Sequence, residues 1–143
     1  MAKSHALEIV LVEDNPADVE LTLRALRKAR LANPVRVFGD GAAALEALLP
    51  DDGLPRARPR VVLLDLKLPK VDGLEVLRRL RNDPRTRTTP VVILTSSREE
   101  IDLVRGYELG ANSYVVKPVE FDKFVDAVTE IGLYWLLLNE PPA

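Results

Sequence analysis

A chain of 143 residues is long enough to bury a sizeable core and leaves little room for a second domain. Its 47% hydrophobic and 29% charged residues, with a net charge of −2, are ordinary for a globular protein and lack the basic excess expected of a nucleic-acid binder. There is no cysteine, which rules out disulfides and thiolate metal sites. Residues 1–6 carry no apolar signal stretch, and the longest apolar run, Leu133–Leu138, is too short to cross a bilayer, so a cytoplasmic location and no membrane partner are expected.

Short β-like runs alternate with helical ones along the chain. Leu7–Glu13 is apolar and rich in branched residues, as a buried strand requires. Pro16 pre-sets a first helical turn, after which Val19, Leu23, Leu26 and Arg30 recur at helical spacing. Asn33-Pro34 stops that helix, and Val35–Phe38 reads as a second strand. Gly39-Asp40-Gly41 turns into an Ala/Leu-rich helix ending at Pro50, and the proline-bearing stretch Pro50–Pro59 predicts a surface loop of little structure.

Val61–Asp65 is the clearest buried strand, followed by a loop over Leu66–Asp72 and a helix over Gly73–Asn82. Pro90–Thr95, Arg98–Leu109, Ser113–Lys117 and Glu120–Leu138 continue as strand, helix, strand and helix. Five β-then-α units predict an α/β fold, an open doubly wound parallel sheet with helices on both faces. The arginines at 78, 79, 81, 85 and 87, and the acidic residues of the last third, read as solvated faces.

In such a sheet, ligands bind beyond the carboxyl ends of the strands. Four of the five ends are polar: Glu13-Asp14, Asp65, Thr95 and Lys117. Three carboxylates in one shallow pocket repel each other, and a hard divalent cation such as Mg²⁺ relieves that repulsion. Lys117 supplies a positive charge and Thr95 a hydroxyl donor, both suited to phosphoryl oxygens. Ser96 or Ser97 is the expected cap of the next helix, which leaves Thr95 free. A carboxylate nucleophile in this company suits formation of an aspartyl phosphate.

The course from Leu7 to about Ile131 resembles the receiver domain of two-component response regulators, similar to the bacterial chemotaxis receiver. The resemblance is carried in order by Val12-Glu13-Asp14-Asn15, Leu63-Leu64-Asp65-Leu66, Leu68-Pro69-Lys70-Val71-Asp72-Gly73, Thr95-Ser96-Ser97, Gly110-Ala111 and Val116-Lys117-Pro118. It implies a flavodoxin-like five-stranded sheet in order 2-1-3-4-5. It also implies Asp65 as phosphoacceptor, with Mg²⁺ held by Glu13, Asp14, Asp65 and the main-chain carbonyl of Lys67. Thr95 and Lys117 bind the phosphoryl group in such domains, the Lys117–Pro118 bond is cis, and Thr95 with Tyr114 forms a switch pair. The surface that changes is the fourth helix, fifth strand and last helix.

The end of the chain goes beyond a minimal receiver. Phe121, Phe124, Val128, Ile131, Trp135 and Leu138 make one helical stripe, and Leu133, Tyr134, Leu136 and Leu137 add apolar residues around the other sides. A helix apolar all round needs a covering surface. This tail resembles that of single-domain regulators that partner phytochrome-type histidine kinases, as do Glu13–Asp18 and the long loop before the third strand. The expectation is one receiver over residues 1–143 with a helical extension from about 131. Its partners would be a histidine kinase, of bacteriophytochrome type, and a second copy bound through the switch face, Tyr134, Trp135, Leu137 and Leu138. Two other readings compete. A haloacid-dehalogenase-type phosphatase also uses a strand-end Asp, but usually has a second Asp where this chain has Lys67. A degenerate receiver serving only as an interaction module would have lost polar residues that are all present here. No helix-turn-helix follows the domain, so direct contact with nucleic acid is not expected.

Overall fold

The structure is a computed structural model and describes residues 8–29, 33–96, 98–106 and 110–130. Its elements in chain order are β1 (Glu8–Val12), α1 (Pro16–Lys28), β2 (Val35–Phe38), α2 (Gly41–Leu48), β3 (Pro59–Asp65), α3 (Gly73–Asn82), β4 (Val91–Thr95), α4 (Arg98–Gly106), β5 (Ser113–Val116) and α5 (Phe121–Glu130). The strands form one sheet in the order β2-β1-β3-β4-β5, and every neighbouring pair is parallel. Short apolar strands joined by amphipathic helices lead to this arrangement, because parallel neighbours need a crossover that can cover a face of the sheet.

Alternate residues of the central strands feed two separate cores. Val10, Val12, Val62, Leu64, Val91 and Ile93 pack with Leu45, Leu48, Val76, Leu77 and Leu80 under α2 and α3. Ile9, Leu11, Val61, Leu63, Val92 and Leu94 pack with Leu26, Phe124 and Val128 under α1 and α5. Burying each large side chain contributes about 1.5–3 kcal/mol, so the sheet's position is strongly determined before any polar contact is counted. Among the described residues no helix is long and apolar enough to cross a membrane.

Caps set the helix starts. The Asn15 side chain accepts from the Ala17 and Asp18 amides at 2.9 and 3.1 Å, Asp40 accepts from Ala43 at 2.7 Å, and Asp72 accepts from Glu75 at 3.0 Å. Boundaries differ slightly from those expected. Glu13 lies past the end of β1, although its amide still bonds the Phe38 carbonyl at 3.0 Å. β3 begins earlier, at Pro59, which lies opposite Glu8 across a register irregularity. β4 begins one residue later than expected, at Val91, and β5 stops at Val116, one residue short of Lys117. Residues 107–109 of the expected fourth helix and 131–138 of the expected last helix lie outside the described residues.

The arginine cluster is not a uniform solvated face. Arg78 and Arg79 do pair with Glu75 on the surface of α3. Arg81 instead reaches the Gly110 carbonyl at 2.9 Å and the Asn112 side chain at 2.8 Å, tying α3 to the approach to β5. Arg85 donates to the carbonyls of Pro50 and Gly53, both at 3.1 Å. The loop before β3 has no helix or strand, as expected, but these bonds anchor it, and Arg56 adds an ion pair with Asp52 at 2.7 Å.

Candidate functional site

The carboxyl ends of β1, β3, β4 and β5 converge as the strand order requires. Glu13 and Asp65 are buried, and Asp14 is exposed at the rim. One carboxylate oxygen from each lies within 4.8 Å of the other two. Local turns hold them there. The Asn15 amide bonds Glu13 Oε2 at 3.2 Å, and the Lys67 amide reaches Asp65 Oδ1 at 3.4 Å. The loop after β3 folds back so that the Gly73 amide bonds the Leu66 carbonyl at 2.9 Å. A Cβ at residue 73 would run into the Asp65 carbonyl oxygen, so the first residue of α3 must be glycine for the loop to close this tightly.

Lys117 is the counter-charge. Its Nζ lies 3.0 Å from Glu13, 3.1 Å from Asp18 and 3.2 Å from Asp65, with its side chain 15% exposed. Its amide bonds the Thr95 carbonyl at 2.7 Å, and the Lys117–Pro118 peptide is cis. Burial pushes the Glu13 carboxyl up to about 7, against the hydrogen bond from Lys117 that pulls it down, while the neighbouring charge of Asp65 pushes it further up. Burial works to lower the Lys117 ammonium, yet its bond to Glu13 and the charges of Asp65 and Glu13 hold it above its usual value. The site is thus a cluster of acids, buried at Glu13 and Asp65 and open at Asp14, with the strongly held Lys117 ammonium among them. An oxygen-only donor set with excess negative charge fits a hard divalent ion, not a thiophilic one.

Asp18 was not singled out in the sequence, because nothing in the first turn of α1 reveals that a lysine 99 residues later reaches it. Thr95 also departs from expectation: it is fully buried, and its hydroxyl is not free but donates to Glu100 of α4. Glu100 accepts from the Ser96 amide at 3.0 Å and hydroxyl at 3.2 Å, and pairs with Lys67 at 3.3 Å. The spacing Ser97-Arg98-Glu99-Glu100 is that of a capping box, a signal that could have marked Glu100 as a residue reaching back across the helix start. Tyr114 lies opposite Ile93 on the neighbouring strand, half-buried against the core under α2 and α3.

The response regulator receiver domain model matches residues 9–129. The chain belongs to the response regulator receiver family. Such a receiver is a phosphoacceptor, not a turnover enzyme, which sets aside the phosphatase reading. The acidic triad of Glu13, Asp14 and Asp65 is the metal-binding kind typical of receivers. Among solved structures, this receiver is similar to the bacteriophytochrome response regulator RtBRR, with 53% identity and a TM-score of 0.86, covering 96% of this chain and 84% of that one. It is also similar to the bacteriophytochrome response regulator AtBRR, with 55% identity and a TM-score of 0.83, covering 94% and 99% of the two chains. The response regulator Rcp1 of Synechocystis is 36% identical over 136 residues, 94% of this chain and 92% of Rcp1. An Mn²⁺-bound structure of Rcp1 superposes with a TM-score of 0.72, covering 96% of this chain and 99% of that one.

Proposed function

We propose that Asp65 accepts a phosphoryl group from the phosphohistidine of a histidine kinase. The observation that carries this is the buried Asp65 carboxylate beside Glu13, Asp14 and Lys117. An Asp65 Oδ atom attacks phosphorus, the P–N bond to the kinase imidazole breaks, and an acyl phosphate forms. The imidazole nitrogen keeps the electron pair and takes up a proton. Glu13, Asp14, Asp65 and the Lys67 carbonyl would hold Mg²⁺, which neutralises charge on the phosphoryl oxygens when bound. Lys117 and Thr95 serve the remaining oxygens, and Thr95 with Tyr114 carries the change to α4, β5 and α5. The Mn²⁺-bound Rcp1 structure supports the metal assignment. The likeness to two bacteriophytochrome response regulators supports a kinase of that type as partner.

Incubating the protein with Mg²⁺ and acetyl phosphate and weighing it intact tests the core of this reading. One added phosphoryl group is expected, and none with EDTA. An unchanged mass with Mg²⁺ present would remove the phosphoacceptor assignment and favour an interaction module.

The same reading includes a homodimer formed by one receiver over the whole chain with its tail. Tyr134, Trp135, Leu137 and Leu138 lie outside the described residues. Support comes from the apolar character of that tail; the groove between α4 and α5 is mixed, with Ile101, Tyr114 and Val116 beside Arg98, Lys123 and Glu130. Equilibrium sedimentation at micromolar concentration is expected to show dimer; monomer alone would refute it.

A further inference from the structure

We infer that Glu100 is a positioning residue for phosphoryl uptake: it competes with the phosphoryl group for the single proton of the Thr95 hydroxyl. The inference rests on the phosphoacceptor reading of Asp65 and concerns a residue of α4 that does not belong to the acidic pocket.

A threonine hydroxyl has one proton to donate. Thr95 ends β4, and its Oγ1 donates to Glu100. The side chain of Thr95 is fully buried, so bulk water is not a ready alternative acceptor when that bond is given up. The acceptor is a strong one. The same Glu100 oxygen also receives the Ser96 amide and hydroxyl, and the other oxygen lies 3.3 Å from Lys67 Nζ. These contacts keep the carboxyl ionised: the Thr95 hydroxyl, more than the Ser96 amide or Lys67, holds it down at about 2, against the effect of burial. Glu100 is therefore a fixed anion that takes up the Thr95 proton, the one donor it shares with a phosphoryl group on Asp65.

Two consequences follow from that geometry. A phosphoryl oxygen gains the Thr95 proton only by displacing a carboxylate, which lowers the affinity of the pocket for the phosphorylated state. The displaced carboxylate sits in the first turn of α4, so the exchange unties that turn from the end of β4 and from Lys67 in the loop after β3. Removing Glu100 should relieve the competition, and the relief should require the Thr95 hydroxyl.

The test is isothermal titration of the folded chain with beryllofluoride at saturating Mg²⁺, since beryllofluoride mimics a phosphoryl group on a carboxylate without turning over. Glu100→Ala is expected to bind at least about tenfold more tightly than wild type, the scale of one hydrogen bond to a charged group. Glu100→Gln, which keeps the shape and a weaker acceptor, should fall between them and covers the case in which the alanine variant is poorly folded. In a Thr95→Val background, Glu100→Ala should give no gain, a result that a purely structural role for Glu100 or simple removal of local negative charge would not produce. Wild-type binding with no tightening in either Glu100 variant, or a gain that persists without the Thr95 hydroxyl, overturns the inference alone. A wild type that neither binds beryllofluoride nor gains mass from acetyl phosphate removes the reading of Asp65 and this inference with it.

Discussion

Asp65→Asn is expected to take up no phosphoryl group from acetyl phosphate while remaining folded. An amide is a far poorer nucleophile than a carboxylate and cannot form the acyl phosphate, so intact mass should show no increment over hours in which the wild type is modified. Stability should change by no more than about 1 kcal/mol, because one repulsive charge is lost together with one of the three partners of Lys117. The same variant should also alter Glu13. The charge and hydrogen bond of Asp65 both help raise that carboxyl, which stands at about 7 instead of its usual 4.5. A raised folded-state value means that the contribution of Glu13 to stability is fully present below about pH 4.5 and is lost as pH rises through 7. In Asp65→Asn that loss should be smaller and should occur at lower pH, as denaturant midpoints between pH 4 and 8 would record. Modification of Asp65→Asn to the wild-type extent would place the nucleophile elsewhere.

Lys117→Met should have the largest effect on stability. It leaves the buried carboxylates of Glu13 and Asp65 without their cation, and breaking a buried ion pair from one side costs about 3 kcal/mol or more. The ammonium itself stays charged throughout the working range, since its folded-state value lies above an already high one. The pH dependence of the loss therefore comes from Glu13. At pH 5 that carboxyl takes up a proton and spares most of the penalty; at pH 8 it cannot. Urea unfolding should show a deficit that grows from pH 5 to pH 8 and shrinks when millimolar Mg²⁺ supplies the missing charge. A variant as stable as wild type at pH 8 without Mg²⁺ would mean that Lys117 does not hold the pocket together.

The parts of this fold that depend on local pattern were readable from the chain. Short runs rich in apolar residues identify the strands, most clearly the central ones buried on both faces, and four of the five are followed or ended by a polar residue. The polar ends then identify the pocket, since Glu13, Asp65, Thr95 and Lys117 place polar groups together at the carboxyl end of the sheet, where ligands bind. The parts missed depend on side-chain reach between elements. Asp18 looks like any acid in a first helical turn, and only the fold brings Lys117 to it. Glu100 looks like one of several exposed acids of α4, and its role follows from turning back over the helix start toward Thr95. Arg81 and Arg85 look like members of a basic run, yet both serve backbone carbonyls that only the folded loops present.

The contacts of Lys117 with Glu13 and Asp18 span 104 and 99 positions of the chain. Both are made just past the end of β5, which is synthesised after the other four described strands. A nascent chain that has already displayed β1, β3 and Asp65 still lacks the cation that makes its acids tolerable to one another. Chains cut short before residue 117 would carry the acceptor carboxylate without a working pocket around it. Such a fragment would keep Glu13, Asp14 and Asp65 close together and leave their mutual repulsion unrelieved by the Lys117 ammonium.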